Sequence, residues 1–140
     1  MPESLPSILS HVSVGTAMYE EALAFYDPVM AALGAKRIME VPEAKAVAYG
    51  RQFPEFWVQV PDNDQKPSVG NGYHVAFLAA SKQSVDDFFN AAIEAGGSPD
   101  GEPGPRPHYG AAYYGCFVRD LDGHKIEAMY WDQSLAESSL

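Results

Sequence analysis

Two histidines occupy matching places in this chain. His11 precedes Phe25 by 14 residues and Gly34 by 23, and His74 precedes Phe88 by 14 and Gly97 by 23. A third group of interest is Glu127, within Lys125-Ile-Glu-Ala-Met-Tyr-Trp131. That stretch alternates, with Ile126, Ala128 and Tyr130 on one face and Lys125, Glu127, Met129 and Trp131 on the other. Glutamate is disfavoured in mid-strand, and a covered carboxylate needs a counter-charge or a metal. Gln59 has a comparable place in the first half, where Phe56, Val58 and Val60 share one strand face and Trp57 and Gln59 the other. Two imidazoles, a carboxylate and an optional amide oxygen suit a divalent first-row metal. On wet strand faces the same groups would simply be solvated. The matched positions in both halves favour the metal.

The elements that must position these groups repeat as well. Ile8–Gly15 reads as a strand. Thr16 then caps a helix carrying Met18, Ala22, Phe25 and Val29, with a kink or early stop expected at Pro28 and an end near Leu33-Gly34. Strands follow at 35–41, 46–50 and 55–60. Residues 62–71 are polar and rich in turn formers, a linker. The second half gives a strand over 72–78, a helix over 84–95 capped by Ser81 or Ser84, and strands over 113–119 and 125–131. The Gly/Pro-rich run 98–110 is too irregular to assign. The expected organisation is one α+β domain over 1–140, with modules at 7–61 and 72–132, a loose lead-in over 1–7 and a frayed tail over 132–140. The Val12, Val58, Val75 and Ile126 faces should pack under the helices. The opposite faces should line one cavity.

Composition narrows the function. Nineteen acidic against nine basic residues give a formal net charge of −10, which argues against nucleic acid and against anionic membrane surfaces. No apolar run is long enough to span a bilayer. The first residues show neither the basic flank nor the apolar run of a signal peptide. The single cysteine, Cys116, cannot form an internal disulfide and fits a reducing cytoplasm.

The sequence resembles the vicinal-oxygen-chelate superfamily: glyoxalase I, extradiol dioxygenases, fosfomycin-resistance enzymes and bleomycin-binding proteins. The resemblance runs over about residues 7–132. It rests on His11-Val-Ser-Val-Gly-Thr16, Phe25-Tyr26, Leu33-Gly34, the Gln59 strand, Gly72-Tyr-His-Val-Ala-Phe77, Ala95-Gly-Gly97 and Phe117-Val-Arg-Asp-Leu-Asp-Gly-His-Lys-Ile-Glu127. It implies two βαβββ modules forming a cup-shaped mixed sheet. It also implies His11, His74 and Glu127 as metal ligands, with Gln59 where the glyoxalase branch has a fourth. Leu121 stands where the family usually has proline. No residues match the arginine and asparagine positions that hold glutathione.

Around this set, Arg106, Tyr109, Tyr113, Tyr114, Trp57 and Met129 are expected to contact substrate, and His108 to serve with Glu127 in proton transfer. His124 lies in the turn before the last strand and should be exposed. The leading expectation is a glyoxalase-like lyase or isomerase, using Zn, Ni or Fe(II) on a small substrate with vicinal oxygens and acting as a cytoplasmic homodimer. The alternatives are a non-enzymatic drug- or metabolite-binding protein and an Fe(II) extradiol-type dioxygenase.

Overall fold

The computed structural model describes Leu5 and residues 7–136. Its first half runs β1 (Val12–Gly15), α1 (Tyr19–Ala31), β2 (Lys36–Val41), β3 (Ala46–Gly50) and β4 (Phe56–Gln59). The second runs β5 (Val75–Leu78), α2 (Lys82–Glu94), β6 (Ser98–Pro105), β7 (Tyr113–Arg119) and β8 (Lys125–Trp131). Each half makes a four-stranded sheet, ordered β1-β4-β3-β2 and β5-β8-β7-β6. The β1–β4 and β5–β8 pairs are parallel and the others antiparallel. This is the α+β arrangement of two βαβββ units that the family resemblance implies. The expected lead-in and tail lie partly outside the described residues. Within them, Gln133–Leu135 forms a 3₁₀ turn capped by Asp132.

Burial follows the alternation. Val14, Val47, Tyr49, Phe56 and Val58 of the first sheet join α1 residues Phe25, Tyr26, Val29 and Met30 in one core. Val75, Cys116, Val118, Ile126 and Ala128 join Val85, Phe88 and Ala92 of α2 in the same core. The other face of each sheet carries no helix of its own module. Burial pushes the Cys116 thiol up to about 12, so it packs as a small apolar residue.

Several boundaries differ from expectation for local reasons. β1 starts at Val12 because its partner β4 starts only after Pro54, leaving earlier residues unpaired. His11 and His74 therefore each sit one residue ahead of a strand. Pro28 does not end α1. It costs only the Ala24 carbonyl a partner, and Ala24 is exposed, so water can replace the bond. Thr16 does not cap α1 directly. Its Oγ1 accepts from the Met18 amide at 3.0 Å, and the helix begins at Tyr19. Ser81 caps α2 through the Ser84 amide at 3.0 Å. The irregular run is a real strand, β6, with two register shifts. It lies on a sheet edge, where prolines cost few ladder bonds.

A buried polar network ties the two modules together. Asp120 accepts from the Tyr26 hydroxyl at 2.5 Å, from the His124 amide at 2.8 Å and from the Asp122 amide at 3.0 Å. Asp122 accepts from the Ala17 amide at 2.9 Å. His124 is 2% exposed, contrary to the exposed position expected for it. Its Nε2 lies 2.7 Å from the Gly15 carbonyl, which can only accept, so that nitrogen carries the proton. A turn residue became an inter-module pin because the turn packs on the end of β1.

Three phenols give the fold an alkaline limit. Burial, followed by Asp120, Asp27 and Glu127 respectively, holds Tyr26, Tyr49 and Tyr113 above the ordinary 10.0. Above pH 10 the unfolded chain loses protons that the folded chain keeps. Stability is therefore fully present below that pH and falls as pH rises beyond it. The melting temperature should drop steeply above pH about 10, with these three phenolates appearing only on unfolding. Spectroscopic titration of all eight tyrosines before circular dichroism changes would contradict this.

Candidate metal and substrate site

Glu127 lies on the helix-free face of the second sheet, yet it is only 6% exposed. Its parallel partner is Ala76 and its antiparallel partner Phe117. Oε1 lies 3.1 Å from His74 Nε2. Oε2 accepts from the Tyr113 hydroxyl at 2.6 Å. An ionised carboxylate only accepts, so in this arrangement His74 Nε2 carries a proton. A divalent ion binding between the two groups would take that proton's place. Tyr113 already holds the second oxygen, leaving Oε1 for a ligand.

Glycines make this geometry possible. A Cβ at Gly115 would fall 2.3 Å from the Tyr113 hydroxyl, so only glycine lets that ring lie along β7 and reach Glu127. Nearby, a Cβ at Gly101 would fall 2.9 Å from an Arg106 guanidinium nitrogen. Arg106 lies over the Phe117 ring at 5.2 Å, and the His74 ring meets the same phenyl edge-on at 6.0 Å. Tyr109 packs on Tyr113 at 5.0 Å, and His108 on Tyr109 at 4.2 Å, both near the surface. His108 thus reaches Glu127 only through two stacked rings.

Other expected site residues fall elsewhere. Tyr114 faces α2, where its hydroxyl donates to Asp86 at 2.8 Å and Lys82 lies over its ring. The residue on the Glu127 side is its neighbour Tyr113, one step along the pleat. Met129 shares the face of Glu127 and is half-buried. His11 is exposed, its Nδ1 3.0 Å from Ser10 Oγ. Among the described residues no three His, Cys, Asp or Glu side chains converge on one point. One chain therefore assembles His74 with Glu127, and His11 separately.

Strand register also separates Gln59 from the symmetric ligand position. Val12 pairs with Phe56, and Val75 with Ile126, so the two modules superpose residue for residue from their histidines. On that register the counterpart of Glu127 is Trp57, and the counterpart of Gln59 is Met129. Gln59 lies two residues further along, about 6.6 Å at the strand rise. There it lines an open groove of about 450 Å³ with Ser13, Gly15, Asp62, Lys66 and Pro67. Nothing in the sequence alone marks this offset, which depends on where β4 begins to pair.

A sequence profile described as the Glyoxalase/Bleomycin resistance protein/Dioxygenase superfamily matches residues 8–128. A solved structure of a glyoxalase/bleomycin resistance protein from Albidiferax ferrireducens T118 is 32% identical, with a TM-score of 0.80 over 89% of this chain and 99% of that one. A glyoxalase I mutant from Zea mays shares the fold at 24% identity and TM-score 0.67, with 89% of this chain matching 47% of the maize protein. The fosfomycin resistance protein FosX from Listeria monocytogenes does so at 18% identity and TM-score 0.63, over 93% and 98% of the two chains. No curated protein sequence matches. Among the described residues no helix is long and apolar enough to cross a membrane.

Proposed function

Because the chain belongs to the Glyoxalase/Bleomycin resistance protein/Dioxygenase superfamily, we propose that it is a metal-dependent lyase or isomerase of small molecules carrying adjacent oxygens. The observation that carries this reading is the Glu127 carboxylate, buried but held between His74 and Tyr113. A carboxylate so placed, with one oxygen fixed, is suited to take and return a substrate proton. His11, His74 and Glu127 would hold a divalent ion, which when bound would polarise the two substrate oxygens as a Lewis acid. Glu127 would then move the proton. Tyr113 would keep the carboxylate in one orientation, and Trp57 and Met129 would exclude water from the apolar side.

The ligand set is completed by a second copy. A twofold partner would bring its His11 and Trp57 against the His74–Glu127 cluster, closing two identical sites per dimer. The offset of Gln59 favours a second reading, an Fe(II) dioxygenase. Two histidines and one carboxylate with open positions form the triad such enzymes use.

The test is metal-linked stability. An ion bound by the folded protein alone stabilises it by RT ln(1 + [M]/Kd), about 2.7 kcal/mol at a hundredfold excess over Kd. Chelator should lower the melting temperature by several degrees, and Zn²⁺, Ni²⁺ or Fe²⁺ should restore it. Glu127→Gln, which keeps the shape and removes the charge, should abolish the response. If wild type and Glu127→Gln melt alike with and without metal, the metal reading fails and a ligand-sequestering protein takes its place. Catechol-dependent oxygen uptake by the iron form would select the dioxygenase reading.

A further inference from the structure

Beside the His74–Glu127 cluster lies a cationic patch that the proton-transfer reading does not use. The Phe117 ring carries the Arg106 guanidinium at 5.2 Å and the Lys125 ammonium at 4.8 Å. Arg106 is held rigidly by backbone carbonyls: its Nη1 donates to Gly115 at 2.5 Å and to Gly104 at 3.2 Å, and its Nη2 to Glu102 at 2.9 Å. Gly101 supplies the room for the guanidinium to lie against the sheet. A guanidinium has five N–H donors. Its Nε–H and one Nη2–H are left without a partner among the described residues, and no carboxylate lies within ion-pair distance of it there. Lys125 has only Asp100, at 3.9 Å, which Arg119 already holds at 3.1 Å. In a chain of net charge −10, Arg106 is an immobilised cation that has no ion-pair partner among the described residues and keeps N–H donors that an oxyanion could engage.

We propose that the Arg106–Lys125 patch over Phe117 binds an oxyanion of the ligand, so that the substrates are small acids carrying a carboxylate beside the metal-directed oxygens. This rests on the proposed function for the placement of those oxygens, but the patch itself can be tested without metal. Charge-assisted hydrogen bonds to a preformed guanidinium should strengthen binding of an acid over its neutral analogue by about ten- to a hundredfold.

The experiment titrates metal-free and Zn²⁺-loaded protein calorimetrically with 3,4-dihydroxybenzoate, 2,3-dihydroxybenzoate and catechol, which share vicinal oxygens and differ in the carboxylate. At least one acid should bind at least tenfold more tightly than catechol in both forms, and the preference should fall with added salt. Arg106→Gln should remove the preference, weakening the acids at least tenfold more than catechol. Because Arg106 also braces β6, Lys125→Met serves as a second variant that leaves the carbonyl contacts alone, and it should reduce the preference partly. Equal binding of acids and catechol by both wild-type forms overturns the proposal, as does a preference untouched by both substitutions. Failure to bind Zn²⁺ with a retained preference for acids would overturn the metal reading and keep this one.

Discussion

Mixing two inactive variants should restore metal binding to about one quarter of the sites. If the protein is the proposed homodimer, His11→Ala and Glu127→Gln each remove a ligand from every site, so neither should bind Zn²⁺ at stoichiometric levels. On the proposed dimer, each closed site would take His11 from one copy and His74 with Glu127 from the other. In a mixed dimer, one site therefore carries both substitutions and the other carries none. Random reassociation makes about half the dimers mixed, with one intact site of two in each, hence the quarter. Denaturation and refolding of the variants together, followed by metal quantification, reads this directly. If both modules contributed to one site within a chain, every chain would lack a ligand and the mixture would stay empty. The expectation rests on the separation of His11 from the His74–Glu127 pair in one chain, and on the bonds that fix the modules relative to each other. Asp122 on the Ala17 amide and His124 on the Gly15 carbonyl tie the two modules of one chain in the arrangement that keeps His11 apart.

The second large effect should come from those bonds. Asp120→Ala removes the acceptor of three donors, of which the Tyr26 hydroxyl and the His124 amide are buried. A buried donor left without a partner costs about 1–3 kcal/mol, so the loss should approach about 3–5 kcal/mol, a large fraction of the 5–15 kcal/mol typical of a domain. Asp120→Asn keeps the backbone contacts and should cost less. Burial already raises the Asp120 pKa against the lowering effect of Tyr26, so removing the charge relieves part of its desolvation. His124→Ala, which loses the contact to Gly15 and the packing of a buried ring but keeps the Asp120 contacts to the backbone and Tyr26, should fall between them. Urea unfolding of the three variants checks the ranking. Asp120→Ala within 1 kcal/mol of wild type would show that the network is dispensable.

Much of the architecture was legible without coordinates because it rests on local periodicity. The 14- and 23-residue spacings, the strand alternation and the Gly34 and Gly97 stops identify two copies of one unit. They also put His74 and Glu127 on the side away from the helices, since period-two alternation assigns faces without knowledge of neighbours. The β7 and β8 boundaries came out as read. There the turn is short and both strands pair with each other, so local and tertiary preferences coincide.

What local pattern could not decide was anything that depends on which residue meets which across strands or modules. Trp57 rather than Gln59 is the counterpart of Glu127 because pairing with β1 begins at Phe56, after Pro54. A shift of two residues keeps the face and changes the position, so alternation is blind to it. Tyr113 rather than Tyr114 faces the site because β7 pairs Tyr113 with Trp131 and Phe117 with Glu127. Gly115, inside the strand read over 113–119, and Gly101, in the run left unassigned, leave room beneath the Tyr113 and Arg106 side chains, a role that no local pattern marks. His124 reads as a solvated turn residue because its partner, the Gly15 carbonyl, lies 109 residues earlier. A strand's own residues determine which way its side chains point; contacts between distant strands determine what those side chains touch, and the chemistry of this site depends on the latter.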